Sequence, residues 1–429
     1  MRRLIVLVLV FLFLCLQAEA GVNTDLDALI AAALANNLDL KKQELAVQSA
    51  KESLVNVLKV EDSKISVSTD YSYGESLSSV PGASPAPFST SAGITVPLFS
   101  QLSLSGRISD QGTGSVSLAY SPFSYDTAGF KAEENYKKAV NQWVALKQQT
   151  IFAVESGVLN WNYAVANEDY LKKAYQLEED KYTAMKKQYE LDVSTYDDLA
   201  AEEQNYLQAR QKYYDGENAL LKSRQTIYNL LGSGMEKTVI PQIQITDLLN
   251  MIAARDTLIT GSGSPVVSSD KLKSLNLELA TLEKELAVLF PVQPSINLTG
   301  SIGLPAFSFQ ASAAITLTAS DFKFKDIADL KTSIAVKKEE IAAEKYGISL
   351  DVQMLEQSIR IAREVLELNQ NDLKTADINL KEANFLLTTG ERTTLEVRQT
   401  ELSRQSAEIR EYQAAVSLYS AQANYLALL

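Results

Sequence analysis

The 429-residue chain has no histidine and only one cysteine, Cys15. These absences remove most site chemistry. Imidazole bases, Cys/His nucleophiles and thiolate or imidazole zinc sites have no residues to draw on. Cys15 also lies in an N-terminal apolar run, so the chain forms no disulfide once that run is cleaved. Proline stands only at positions 81, 85, 87, 97, 122, 241, 265, 291, 294 and 305, which leaves 123–240 and 306–429 without one. Glycine is nearly missing too, with Gly157 alone in 130–191 and Gly347 alone in 321–389. Tracts this long without breakers are helices. Beyond the N-terminal run no window is apolar for the roughly 18 residues that a transmembrane helix needs. Basic charge is in deficit, 40 Lys and Arg against 53 Asp and Glu, a net charge of −13. Nucleic acid is therefore not an expected partner.

The N-terminus reads as a secretory signal over residues 1–20. Arg2 and Arg3 are its positive end, Leu4 to Leu16 its apolar core, and Ala18-Glu19-Ala20 a small-x-small cleavage site. Leu14 is bulky where lipidation of Cys15 wants a small residue. Cleavage removes two arginines and Glu19, which brings the exported chain to −14.

Within the breaker-free tracts the apolar residues step 3-4-3-4. Ile151, Val154, Val158, Trp161 and Val165 do so, as do Val352, Leu355, Ile359, Ala362 and Leu366, and again Leu373, Ala376, Leu380, Ala383 and Leu387. A period near 3.5 marks helices that wind around neighbours. A helix of about 65 residues is ~100 Å long, too long for one globular core. An ordinary coiled coil shows the same stripes.

Between the helices lie alternating segments. In Lys64–Gly74, Ile65, Val67, Tyr71 and Tyr73 oppose Ser66, Ser68, Asp70 and Ser72; Ser115–Ser121, Ser295–Leu304 and Ala311–Thr318 alternate likewise. The polar side is rich in serine and threonine and almost uncharged. That suits a membrane barrel with a wet lumen, and the lengths are near those of tilted membrane strands.

The order of elements repeats. A first repeat, 21–231, holds a helix, strands within 64–121, a long helix over 126–190, a break at Leu191–Thr195 and a helix over 195–231. An equatorial or linker segment, 232–269, follows. A second repeat, 270–429, holds a helix, strands within 294–319, a long helix over 321–387, a break at Thr388–Thr393 and a helix over 393–429. At an offset of 198, Asp192 falls on Gly390, Thr195 on Thr393, Asp198 on Glu396 and Tyr214 on Tyr412.

On the leader, the opening Leu29–Leu40 where one helix turns into the next, the paired halves and the Thr389-Gly390-Glu391-Arg392-Thr393 break, the chain resembles the TolC-type outer-membrane efflux factors. The resemblance covers essentially all of the exported chain. It implies a mainly α fold with a membrane β-barrel portion, built as a homotrimer from two repeats per chain. Each protomer would give four strands to a shared twelve-stranded barrel in outer-membrane lipid, and its helices to a hollow periplasmic α-barrel. The implied role is a passive exit duct for small molecules or proteins, in a tripartite efflux pump or type I secretion system, joined through a periplasmic adaptor protein to an inner-membrane pump. It implies no enzyme activity, no cofactor and no metal. Residues 92–98 and 102–108 read as extra strands that the family pattern lacks. Whether they widen or cap the barrel is left open by the sequence.

Carried over by position, the resemblance makes Asp198, Arg392, Glu396 and Gln399 a periplasmic gate. Arg392 matches a gate arginine, and Asp198 an aspartate bonding across to the second half. Glu396 matches one position of an acidic ring. Gln399 replaces the other acid, and Leu387 replaces a gate tyrosine. Read bare, the acids are helix-start charges favoured by the helix dipole. Tyr71, Tyr73, Phe307 and Phe309 are candidate membrane-interface aromatics. A periplasmic coiled-coil adaptor is the alternative, although adaptors carry one long hairpin and this chain carries two.

Overall fold

The structure, a computed structural model, describes residues 24–58, 64–71, 88–99, 102–109, 114–120, 127–232, 238–261, 269–293, 295–303, 308–319 and 322–428. The leader read over 1–20 lies outside them. The described helices are α1 (Thr24–Asn36), α2 (Leu38–Leu58), α3 (Thr127–Glu190), α4 (Tyr196–Leu231), α5 (Ile245–Gly261), α6 (Asp270–Val288), α7 (Phe324–Thr389) and α8 (Thr394–Leu426). The described strands are β1 (Lys64–Tyr71), β2 (Phe88–Phe99), β3 (Leu102–Ser109), β4 (Gly114–Tyr120), β5 (Ser295–Gly303) and β6 (Ser308–Thr316). As the missing breakers require, α3 and α7 run for 64 and 66 residues. The turn from one helix to the next expected within Leu29–Leu40 falls at Asn37, whose Oδ1 accepts from the Asp39 and Leu40 amides and caps α2.

One compact unit holds residues to 42, 144–269 and 346–429. Its core gathers Leu29 and Ala33 of α1, Val158 of α3, Ile227 of α4, Leu248 of α5 and Tyr419 of α8. Within it α4 packs tightly on α3. A Cβ on Gly216 would lie 2.6 Å from Leu171 Cδ1, so glycine permits the approach. The linker helix α5 is tied in by polar bonds. Arg255 donates to Glu155 of α3 at 2.7 Å and lies over the Tyr419 ring at 3.6 Å. Gln422 of α8, fully buried, donates to the Ile252 carbonyl and to Asp256.

The second unit comprises 43–143 and 270–345. Here α6 is laced by ion pairs to the N-terminal thirds of α3 and α7. Glu278 takes Lys138 at 2.7 Å and Lys337 at 2.8 Å, Lys284 reaches Glu133 at 2.7 Å, and Lys271 reaches Glu344 at 2.6 Å.

Among the described residues the strands of this unit number six, where the resemblance implies four. The extra pieces form a β2–β3 hairpin between β1 and β4, giving an antiparallel order β1-β2-β3-β4, with β5 paired to β6. β4 lies beside β5. The described strands of one chain do not close into a barrel.

Partial burial pushes the Glu278 carboxyl up, but hydrogen bonds from Lys138 and Lys337 outweigh that and hold it at about 2. Its contribution is therefore present above the ordinary glutamate range and is lost as pH falls toward about 2. Glu278→Gln is expected to cost about 1 kcal/mol at neutral pH. Thermal melts followed by circular dichroism should show the gap between variant and parent closing as acid is added.

Candidate functional site

The two breaks share one backbone geometry. After α3 the Val193 amide bonds the Gln188 carbonyl at 2.8 Å and Asp192 bonds Tyr189. After α7, at the same offset of 198, Glu391 bonds Leu386 at 2.9 Å and Gly390 bonds Leu387. Both are Schellman turns, with Asp192 (φ 59°) and Gly390 (φ 78°) in the left-handed region. Aspartate is one of the few non-glycine residues that tolerate it.

Each return helix then opens with a capping box. Thr195 accepts from the Asp198 amide, and Asp198 accepts back from the Thr195 amide and hydroxyl. Thr393 and Glu396 repeat the pattern. Bonds from the Thr195 hydroxyl and amide lower the Asp198 pKa, and bonds from the Thr393 amide and hydroxyl lower that of Glu396. These bonds are local. Asp198 thus engages its own helix start, where the resemblance had it bonding across to the second half. Arg392 lies near enough to favour ionised Glu396, and its amide bonds the Leu386 carbonyl.

The bonds between the halves lie away from the turns, where the sequence did not point. Arg398 of α8 pairs with Asp180 of α3. Lys181 donates to Gln399 at 3.1 Å, and Gln405 donates to Asp169 at 2.8 Å. Gln399 is the one predicted gate residue that meets the other half. A groove of about 620 Å³ opens here among α3, α4 and α8, lined by Glu178, Lys181, Lys212, Gln399 and Arg410.

The two hairpins close by different chemistry. In α3–α4, Tyr182 stacks on Tyr206, with ring centres 5.5 Å apart, and Tyr175 contacts Tyr206 at 5.6 Å and stacks on Tyr213 at 5.8 Å. The tyrosine spacing 175-182-189 on α3 and 206-213 on α4 is the sequence signal for this seam. At the matched positions of α7–α8, Leu373 replaces Tyr175 and Glu411 replaces Tyr213.

Glu411 is 8% exposed and is the one charged side chain buried among the described residues. Burial pushes its pKa up. A hydrogen bond from Gln370 and the charge of Lys374 oppose this, while Glu408 and Asp377 reinforce it. Beside it the Tyr412 hydroxyl is buried with no partner, whereas the matched Tyr214 hydroxyl accepts from Arg210.

Tyr71 ends β1, and Phe309 lies in β6 opposite Ile302. Tyr73 and Phe307 lie outside the described residues. Among the described residues no helix is long and apolar enough to cross a membrane.

A raised glutamate favours the protonated folded state, so stability is fullest below the ordinary glutamate range and falls as pH rises through the raised value. Glu411→Gln is expected to raise the thermal midpoint at neutral pH and to lose that advantage in acid, as read by melts at the two conditions. Glu408→Gln, on the same helix but paired with Arg404, should not reproduce it.

No family model and no curated protein sequence matches the chain. Solved structures do. A membrane protein from Pseudomonas aeruginosa superposes with a TM-score of 0.63 at 15% identity, over 95% of this chain and 92% of its own. The outer membrane protein VceC of Vibrio cholerae gives 0.58 at 14%, over 94% and 95%. The CmeC outer membrane channel of Campylobacter jejuni gives 0.55 at 14%, over 94% and 84%. Long paired helices, matched turns and a strand region interposed in each half are thus the fold of TolC-type outer-membrane channels, and this chain has that fold.

Proposed function

We propose that the chain is one protomer of an outer-membrane exit duct. Three copies share a membrane barrel and a periplasmic helical tube. A periplasmic adaptor joins the tube to an inner-membrane pump that supplies the energy. Cargo, whether small molecules or proteins, passes without bond chemistry.

The observation that carries this reading is a pair of uncovered heptad stripes. On α4, Leu207, Tyr214 and Leu221 are 50%, 47% and 62% exposed. On α7, Met354, Ile361 and Leu368 are 58%, 50% and 62% exposed. Apolar residues seven apart on two helices are the two sides of a coiled-coil seam. One chain leaves both sides open. A ring of copies closes them, α4 of one against α7 of the next. The shared fold supports three as the number.

In this duct the bonds Asp180–Arg398 and Lys181–Gln399 hold the second half's return helix against the first half. They act beside the positions Asp198, Arg392, Glu396 and Gln399 as the gate. Exposed ion pairs are individually weak, which suits a contact that must be released.

The purified protein is expected to require detergent, to run as a trimer by light scattering and to conduct in planar bilayers. Leu207→Ser with Leu221→Ser should yield monomer. Arg398→Ser should raise single-channel conductance several-fold, and Arg392→Ser with Asp198→Ala should raise it less, since Asp198 is engaged in its own cap. A detergent-independent monomer that leaves bilayers sealed would sink the reading and favour the periplasmic adaptor alternative.

A further inference from the structure

The β2–β3 hairpin separates β1 from β4, and this topology decides what it does. An appendage could be removed and leave β1 paired with β4. Here β1 bonds only to β2 among the described strands, and β4 is bonded to β3. The hairpin is a wall segment and not a cap.

The register shows what kind of wall. Paired residues share a face. One face takes Ile65 and Val67 of β1, Ile94 and Ala92 opposite them on β2, Gly106 and Ile108 opposite those on β3, and Val116 opposite Gly106 on β4. Ile296–Ile315 and Leu298–Ala313 continue the pattern in β5–β6. No charged residue occurs at this parity in any of the six strands. The opposite face is mostly serine and threonine, with Lys64, Asp70 and Arg107 its charges. Two large apolar side chains are described on the charge-free face, Leu104 and Ile315. Ile315 is 69% exposed and Leu104 36%. A soluble sheet would carry charges on any face left open to water.

Aromatics close the pattern at both strand ends. Tyr71 pairs with Phe88 at one end. At the other, Phe99 and Tyr120 both pair with Leu102. The bulge between Pro97 and Phe99 shifts the register so that Phe99 returns to the charge-free face. The inserted hairpin thus carries an aromatic at each end, as strands crossing a bilayer do.

We propose that β2 and β3 are membrane-spanning strands, so that a trimer closes an eighteen-stranded barrel whose charge-free face meets lipid acyl chains. This rests on the duct reading above. Barrel diameter grows roughly in proportion to strand number, so the pore is about 1.5 times as wide as one of twelve strands. The added width suits bulkier or hydrated cargo.

Cysteine accessibility tests it cleanly, because Cys15 is the only native thiol and can be replaced by alanine. Ile94→Cys and Ser105→Cys sample the two faces of the hairpin. Leu118→Cys and Ser117→Cys sample β4 as a reference. In lipid vesicles a charged maleimide should label the two serine-site variants at least ~10-fold faster than the two apolar-site variants, with all four equal after denaturation. Fast labelling of Ile94→Cys while Leu118→Cys stays protected would overturn the proposal and leave the duct standing. Fast labelling of Leu118→Cys as well would remove both, and protection of all four would deny the wet lumen. Imaging of the unmodified trimer provides a second measurement: eighteen strands supports the proposal, and twelve with the hairpin outside overturns it.

Discussion

An apolar stripe on a helix of more than sixty residues must be covered along its whole length, and a single chain of this kind cannot do so. Isolated helices gain little stability from their own hydrogen bonds and depend on the packing of one face. Here α3 is covered by α4 through the tyrosine ladder and by α1 and α5 through the core around Val158 and Leu248. The outward stripes of α4 and α7 receive no such cover. The sheet repeats the shortage in another form. β1 and β6 are the outer strands of the order, and each has an unpaired edge. In the proposed duct both shortages are met by neighbouring copies, which would make the assembly a condition of the fold and not an addition to it.

The two halves show how one backbone plan supports unequal stability. Turn and cap repeat bond for bond at an offset of 198, although few identities survive. The seams do not repeat. Stacked rings bury large area and add a directional preference of about 0.5–1.5 kcal/mol per pair. The α3–α4 hairpin has these contacts. The α7–α8 hairpin instead buries the Glu411 carboxylate and leaves the Tyr412 hydroxyl unpaired, both of which weaken a seam. Its return helix is deeply buried on its apolar side, and polar contacts to Asp180, Lys181 and Asp169 add to that hold on α3.

How much of this the sequence disclosed follows from what kind of information each feature needs. Helix extents were legible because they depend on absences, of proline and glycine, that hold locally. The repeat was legible because a left-handed residue and a threonine cap recur at fixed spacing. The Asp180–Arg398 and Lys181–Gln399 contacts were not, since each joins residues 218 apart whose meeting depends on the relative rotation of two helices. Position alone also left out the cap that Asp198 makes: a carboxylate three residues after a threonine bonds that threonine, a local preference that needs no partner helix. The extra strands at 92–98 and 102–108 were visible by alternation. Their place between β1 and β4 was not, because alternation specifies faces and says nothing of neighbours.

That placement also explains why the insertion is a hairpin. β4 leads directly into α3, and β1 is entered from α2. In an antiparallel sheet each added strand reverses the chain direction. A single inserted strand would deliver the chain to the wrong end of the sheet, with α3 starting on the side away from α2 and α6. Two strands restore the direction, so β4 still reaches α3 where Lys138 can meet Glu278. A hairpin is therefore the smallest insertion that enlarges the wall while leaving every helix where the ion pairs and heptads require it. The same even-number rule governs single-chain bacterial membrane barrels. In the proposed trimer it would act within each protomer, and three copies would inherit it together.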